Sequence, residues 1–185
     1  VDTQTQHTDD DHYHLRVNES AAIRSPDEGR GDAVGPEGVA SVDEALAVRA
    51  TGLIQPVVLL EGAFRPADLE VAAQQRFEVV VHSPHQLEML QRFHGGPIKV
   101  WLKIDTGMHR LGFAASRVQE VHARLRALPQ VTDELNLMTH FASSDEFDGA
   151  QTAVQLKGFD AATRGIAGAA SLSNSAAVLG WPTAH

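Results

Sequence analysis

WLKIDTGMHRLGF, residues 101–113, places a buried strand directly before a polar loop that contains two glycines. Lys103 stands among the apolar residues Trp101, Leu102 and Ile104, in a segment that reads as buried on both faces of a sheet. The loop then supplies four polar side chains: Asp105, Thr106, His109 and Arg110. Since α/β proteins hold ligands and reacting groups at the carboxyl ends of parallel strands, this stretch predicts an α/β fold with a site at its end.

Outward from this stretch, strand and helix patterns alternate from Gly38 to the end of the sequence. Apolar runs predict strands at 57–60, 77–81, 99–104, 135–139 and 170–173. Helices are predicted between them, beginning at Ser41, Pro66 and Ser83 and spanning 116–127 and 149 to about 165. Ser41 and Ser83 each open a capping box. Strands separated by helices indicate a parallel sheet with right-handed crossovers, although periodicity does not separate an open sheet from a barrel.

The composition limits the classes of function. A chain of 185 residues with 43% hydrophobic content can form one domain with a core. The formal net charge of -9 argues against nucleic-acid and anionic-membrane partners, and no run of 18 apolar residues predicts a membrane span. The absence of cysteine excludes disulfides and thiolate chemistry and fits a cytoplasmic location. The first residue is valine rather than methionine, which we interpret as a sign of processing or of a fragment.

Residues 1–37 differ in composition from residues 38–185, so we predict two parts of the chain. The first is rich in Asp, Glu, Ser, Gly and His and is expected to be poorly ordered, with at most a short strand at 13–17. Three histidines lie beside an acidic run, a pattern that could bind a divalent metal: His7, His12 and His14. A solvated acidic tail is the preferred interpretation, and no metal site is expected.

Three motifs carry a resemblance to a known family. WLKIDTGMHRLGF resembles the signature loop of bacterial alanine racemases, and MTHF (138–141) and SLSNSAA (171–177) resemble two further motifs in the same order. The resemblance implies a (β/α)8 barrel, of which residues 38–185 would form the middle part, about five of eight strands, without the C-terminal β domain. It also implies pyridoxal 5'-phosphate as cofactor, L- and D-alanine as substrates, a homodimer, and a role in supplying D-alanine for peptidoglycan.

The resemblance assigns roles to the first two motifs. Lys103 would be carbamylated and would pair with Arg110, which contacts the phenolic oxygen of the cofactor. Alternatively, Lys103 pairs with Asp105 or another carboxylate and only shapes the loop. His140 would lie beside the pyridine ring, although a lone histidine after a strand is often a hydrogen-bonded structural residue. His82, at the end of another strand, is interpreted as structural.

The third motif implies the cofactor phosphate site. Ser175 would bind the phosphate and Asn174 would support the turn. Hydroxyl groups and free amide N–H groups at a helix N-terminus suit an anion, but a serine that merely caps the helix has the same local sequence.

The family's two catalytic bases are not found in this sequence. The Schiff-base lysine belongs to a motif close to VKANAYGHG on the first strand, whereas the three lysines here are Lys99, Lys103 and Lys157. The second base is a tyrosine of the C-terminal domain, and the one tyrosine here is Tyr13. The arginine that contacts the pyridine nitrogen would follow His185. Two alternatives therefore stay open: a catalytically inactive fragment that self-associates, or a single-domain pyridoxal phosphate-binding barrel, which the DTGMHRLGF loop fits less well.

Overall fold

The structure is a computed structural model that describes residues 37–184 and, for the backbone alone, residues 22–24. The predicted strand at 13–17, the histidines near the acidic run and almost all of the predicted poorly ordered part lie outside the described residues. Among the described helices, none is long and apolar enough to cross a membrane.

Strands and helices alternate along the described chain. The strands are β1 (Ala22–Arg24), β2 (Glu37–Val39), β3 (Val57–Leu59), β4 (Glu78–Val81), β5 (Ile98–Asp105), β6 (Phe113–Ala114), β7 (Val131–Met138) and β8 (Ala170–Ser173). The helices are α1 (Val42–Ala50), α2 (Pro66–Gln75), α3 (Pro84–Arg92), α4 (Val118–Arg126), α5 (Ala150–Ala162) and α6 (Ser175–Gly180). Short 3-10 turns cover Ala115–Arg117 and Pro182–Ala184.

The sheet runs in the order β1-β8-β7-β5-β4-β3-β2, with β6 beside β5 off this path. Every pair from β2 to β8 is parallel, and β1 is antiparallel to β8. Within the described residues the edge strands β1 and β2 do not pair with each other, so the curled sheet stays open. The predicted parallel βα architecture is confirmed, with six parallel strands on the main path where about five were expected.

Two helices begin as the sequence predicts. Ser41 Oγ accepts from the Glu44 backbone N–H at 3.3 Å, and Ser83 Oγ accepts from the Gln86 N–H at 3.4 Å. In each capping box the second hydrogen bond involves the residue before the N-cap. Glu44 accepts from the Ala40 N–H and Gln86 accepts from the His82 N–H, both at 2.9 Å. These bonds satisfy backbone donors that a helix N-terminus leaves unpaired.

Several predicted boundaries differ from the structure. β7 starts at Val131 rather than at residue 135, and α5 ends at Ala162 rather than near 165. The predicted helix at 116–127 begins as a 3-10 turn and becomes α-helical at Val118. β2 was not predicted as a strand, because three residues are too few to show an apolar period.

Both faces of the central strands are buried. One face packs against the helices in the main core, where β3, β4 and β5 contribute Val57, Leu59, Val79, Val81, Val100, Leu102 and Ile104. The opposite face, which lines the interior of the curled sheet, carries a separate apolar cluster of Val58, Val80, Trp101 and Met138. Because side chains alternate along a strand, Lys99 and Lys103 share the interior face with Trp101. The fold therefore directs Lys103 towards the interior of the sheet.

Candidate functional site

The amino end of the sheet interior is closed by an ionic network. Lys99 Nζ lies 2.9 Å from Glu134 Oε2 and 3.6 Å from Glu78 Oε1, and Glu78 Oε2 accepts a hydrogen bond from Trp101 Nε1 at 2.5 Å. Burial disfavours the charged form of Lys99, but the hydrogen bond that Lys99 donates to Glu134 and the negative charge of Glu78 outweigh it and raise the pKa of Lys99. We call this amino end the floor of the sheet interior, and Lys99 is held there as a structural cation.

A cavity of about 460 Å³ opens at the carboxyl ends of the strands, above the apolar cluster. Its size lies within the range of small-molecule sites. It brings together four of the five residues singled out in the sequence: Lys103, Arg110, His140 and Asn174. The rest of its lining comes from β2, β3, β5, β7, β8 and their loops: Gly38, Ala40, Val58, Leu60, Glu61, Trp101, Leu111, Met138, Thr139, Ser171, Leu172 and Ser173.

Lys103 projects into this cavity and is 7% exposed. Burial lowers the pKa of its amine, the positive charge of Arg110 lowers it further, and Glu61 opposes the shift weakly. No ion pair joins Lys103 to Asp105 within the described part of the chain, because the Asp105 carboxylate is engaged by its own loop. Asp105 is therefore not the partner of Lys103 in this structure, whereas pairing of Lys103 with another carboxylate stays a prediction. Lys103 is a buried amine with a cationic neighbour.

The loop after β5 is held by the Asp105 carboxylate. Its Oδ1 accepts from the backbone N–H groups of Gly107 and His109 at 3.0 Å each, and its Oδ2 lies 3.0 Å from His109 Nδ1. Burial would raise the pKa of Asp105, but these hydrogen bonds outweigh burial and lower it. The returning chain passes so close that a Cβ on Gly112 would lie 2.6 Å from the Asp105 nitrogen. The loop thereby fixes the backbone on either side of Arg110.

Two buried glutamines that the sequence did not single out as site residues connect the loops around the cavity. Gln86 of α3 accepts from His82 N–H and donates to the Glu61 carbonyl oxygen at 2.8 Å. Gln155 of α5 donates to the His140 carbonyl oxygen at 3.0 Å and accepts from the Ala142 N–H at 2.9 Å. Gln86 was visible in the sequence as part of a capping box, whereas no local pattern marked Gln155.

His82 lies just beside the cavity and is not part of its lining. Its Nε2 is 3.0 Å from the Glu61 carbonyl oxygen, so the ring joins the loop after β3 to the end of β4. Burial lowers the pKa of His82, and the charge of Lys103 lowers it further, although the hydrogen bond to Glu61 opposes both effects. These contacts agree with the structural interpretation of His82.

The third motif forms the turn between β8 and α6. Asn174, rather than a serine, caps the helix, since its Oδ1 accepts from the Ala177 N–H at 3.0 Å and from the Ser144 hydroxyl at 2.6 Å. Ser175 is the first residue of the helix, is exposed, and does not belong to the cavity lining. The structure thus supports the turn-forming role expected of Asn174 and places the Ser175 hydroxyl outside the lining.

The remaining lysines and the tyrosine lie away from the cavity or outside the described residues. Lys157 is exposed on α5, Lys99 is at the floor, and Tyr13 precedes the first described residue. Of the three lysines in the sequence, Lys103 alone lines the cavity. Among the described residues, no three histidine, cysteine or acidic side chains lie together so that they could hold a metal.

Comparison with known proteins identifies the family. The family model described as "Alanine racemase, N-terminal domain" matches residues 31–185. The chain belongs to this family. It is 47% identical over 146 residues to the alanine racemase of Shewanella baltica strain OS185 and 49% identical over 148 residues to that of Azoarcus sp. strain BH72. These matches cover 78% and 80% of this chain but 41% and 42% of the relatives, so the chain spans about two fifths of their length.

Solved alanine racemases have the same fold over this region. The biosynthetic alanine racemase of Pseudomonas aeruginosa superposes with a TM-score of 0.75 at 42% identity, covering 80% of this chain and 41% of that one. The alanine racemase of Acinetobacter baumannii gives a TM-score of 0.69 at 34% identity, covering 80% and 42%. The predicted family and its partial barrel are confirmed, and the sheet described above is a section of the alanine racemase barrel.

Proposed function

We propose that this chain supplies part of the pyridoxal 5'-phosphate site of an alanine racemase. The observation that carries the proposal is the convergence of Lys103, Arg110, His140 and Asn174 on one cavity at the carboxyl ends of the strands. These residues come from three separate motifs, at 101–113, 138–141 and 171–177, and only folding brings them together. The reaction of the family, interconversion of L- and D-alanine, is the function that fits this chain's resemblance.

The cavity residues fit an anionic aromatic ligand. Arg110 offers a guanidinium to the phenolic oxygen, and His140 would lie beside the pyridine ring. Asn174 shapes the turn, next to which the exposed Ser175 hydroxyl would meet the phosphate. Trp101 and Met138 line the cavity with apolar surface that would suit an aromatic ring. When bound, pyridoxal phosphate withdraws electrons from the α-carbon of an amino acid, and the residues here bind and orient it.

Lys103 is proposed to be the carbamylated lysine. Its lowered pKa increases the fraction of neutral amine, which is the form that reacts with carbon dioxide. The product is an anion that would pair with Arg110 instead of repelling it. A ¹³C-bicarbonate NMR experiment on the wild-type protein and on Lys103→Arg tests this proposal. A carbamate signal that persists in Lys103→Arg would contradict it.

The lysine that carries the cofactor and the tyrosine base are not supplied by the cavity lining. Racemisation requires a proton to leave one face of the α-carbon and to return on the other, so two bases are needed. Lys99 is committed to the floor network, and Lys157 lies on the outside of α5. We therefore propose that the isolated chain has little or no racemase activity, and the catalytically inactive fragment remains the second candidate.

A homodimer, a cytoplasmic location and a role in D-alanine supply complete the proposal. Homodimerisation is carried by the family resemblance, and light scattering of the purified protein tests it. The cytoplasmic location is supported by the absence of cysteine, and cell fractionation tests it. The role in D-alanine supply is supported by the names of the relatives and belongs to the whole racemase. This chain alone should fail to complement a D-alanine auxotroph, and successful complementation would contradict the proposed inactivity.

Equilibrium dialysis with pyridoxal 5'-phosphate tests the proposed site. We expect the wild-type chain to bind, and Arg110→Ala and His140→Ala to bind about tenfold more weakly each, as expected from the loss of one polar contact. Arg124→Ala, an arginine on the outer surface of α4, is the matched control and should bind as the wild type does. Equal binding by all four proteins would refute the proposed site.

A further inference from the structure

Gln155 is a buried amide that contacts both chain segments carrying Arg110 and His140. Its side chain is 0% exposed. Nε2 donates to the Thr106 hydroxyl at 3.2 Å and to the His140 carbonyl oxygen at 3.0 Å, and Oε1 accepts from the Ala142 N–H at 2.9 Å. One amide of α5 therefore joins the loop after β5 to the segment after β7.

The direction of the hydrogen bonds follows from counting protons. The Thr139 hydroxyl donates to the Ile104 carbonyl oxygen at 2.9 Å, which uses its only proton. In the 2.8 Å contact between the two threonine hydroxyls, Thr106 must then be the donor. Thr106 can accept but not donate towards Gln155, so a donor is required at Nε2. A carboxylate at this position would face two acceptors.

We propose that Gln155 is a positioning residue that keeps Arg110 and His140 on the same cavity. The segments 105–112 and 139–142 follow the neighbouring strands β5 and β7, and Gln155 bonds to both segments. With both segments tied to one helix, the two side chains cannot separate without breaking buried hydrogen bonds. We call the three hydrogen bonds of Gln155 the clamp. The effect of the clamp on cofactor binding rests on the proposed function, whereas its effect on the two segments does not.

Three variants separate this role from a general loss of stability. Gln155→Leu removes all three polar contacts and keeps the bulk of the side chain. Gln155→Glu keeps the shape and replaces the donor by an oxygen atom. Gln130→Leu is the matched control, since Gln130 is a buried glutamine that donates to the Leu90 carbonyl oxygen at the opposite end of the sheet.

Amide hydrogen exchange and pyridoxal phosphate dialysis are the two measurements. In Gln155→Leu we expect the Ala142 amide to exchange about tenfold faster than in the wild type, as for the loss of a net hydrogen bond, and the cofactor to bind about tenfold more weakly. Gln130→Leu should change neither quantity. In Gln155→Glu the binding of pyridoxal phosphate should also weaken, and the loss should depend on pH. The reason is that burial and the two acceptors facing it raise the pKa of the introduced carboxyl.

The pH dependence is read as the ratio of variant to wild-type affinity at each pH, which removes the titration of the cofactor itself. Lowering the pH protonates the introduced carboxyl and restores one donor, so the ratio should return towards one. An effect that acted only through global stability should weaken binding to the same extent in Gln130→Leu, once the two variants are compared at equal free energy of unfolding. Should Gln155→Leu fail to fold, the recovery in Gln155→Glu decides the question.

Each outcome has a defined meaning. Unchanged Ala142 exchange in Gln155→Leu overturns the clamp, and faster exchange with wild-type affinity overturns the positioning role. If the wild type binds no pyridoxal phosphate, the proposed function fails, and the NMR signals of the His140 ring then test the positioning role. A shift of those signals in Gln155→Glu that reverses at low pH supports the role, and signals identical to the wild type overturn it.

Discussion

Replacing Asp105 by asparagine should destabilise the loop that carries Arg110 and should do so in a pH-dependent manner. The carboxylate accepts two backbone hydrogen bonds, from Gly107 and His109, and its side chain is 19% exposed. Hydrogen bonds to a charged group contribute about 1.5–3 kcal/mol each, roughly twice the value for neutral groups. The His109 ring is 81% exposed, so its ion pair with Asp105 adds little.

Asparagine can still accept both backbone bonds, but without the charge. We expect Asp105→Asn to lower the free energy of unfolding by about 1–2 kcal/mol and Asp105→Ala, which loses all the contacts, by about 2–4 kcal/mol. Urea unfolding at neutral pH measures both values, with an unchanged m-value showing that only stability has changed. His109→Ala is the control and should cost less than about 1 kcal/mol.

The pH profile gives the sharper test. The pKa of Asp105 is lowered in the folded protein from its ordinary 3.8, so the carboxylate stabilises the fold. This contribution is complete above the unfolded value and is lost as the pH falls through the lower folded pKa. The difference in stability between wild type and Asp105→Asn should therefore shrink in acid. A difference that stays constant with pH, or that is zero at neutral pH, would refute the reasoning.

Three further changes test the fold and the electrostatics by urea unfolding. Gly112→Ala should lower the free energy of unfolding by about 2–4 kcal/mol, because φ is +129° and the new Cβ would lie 2.6 Å from the Asp105 nitrogen. Gly52→Ala is the control: its φ is +88° but its Cβ would lie in open space, so the loss should be about 1 kcal/mol. Leu102→Ala should lower the free energy of unfolding by about 2–5 kcal/mol, since Leu102 is fully buried. A smaller loss would contradict the close packing of Leu102 in the main core. Lys103→Met should raise the free energy of unfolding by about 1–2 kcal/mol at neutral pH in buffer free of carbon dioxide. The reason is that folding lowers the pKa of Lys103, so the protonated lysine opposes folding. That gain should vanish as the pH rises towards 10.5, and a gain that grew with pH would contradict this sign.

The parts of the fold that the sequence predicted are those with strong local signals. Ser41 and Ser83 begin helices because each supplies an oxygen at the N-cap, and the chain needs only three following residues to complete the box. β5 was predicted within one residue at each end, since its apolar run is continuous and a glycine-containing loop follows it. The position of the site at the end of β5 follows from the same pattern.

The parts that escaped prediction depend on distant contacts. β1 and β2 are three residues each and are defined by their partners at opposite edges of the sheet. Gln155 bonds to Thr106, 49 positions earlier, and this separation leaves no local trace in the sequence. The exposed position of Ser175 likewise depends on Asn174 taking the cap. Local patterns thus predicted where the cavity lies, at the end of β5, but not the side chains that fix its arrangement.

The placement of Trp101 gives this chain an internal optical reporter. Its indole is 2% exposed, its N–H is held by Glu78 at the floor, and its ring forms part of the cavity wall. Trp181 is half-buried, with its indole N–H donating to the Ser144 carbonyl oxygen. Fluorescence from a buried indole is shifted to shorter wavelengths than that of an exposed one, and a chromophore entering the cavity would quench it by contact. With Trp181 replaced by phenylalanine, the emission of a single side chain would follow occupancy of the cavity in real time.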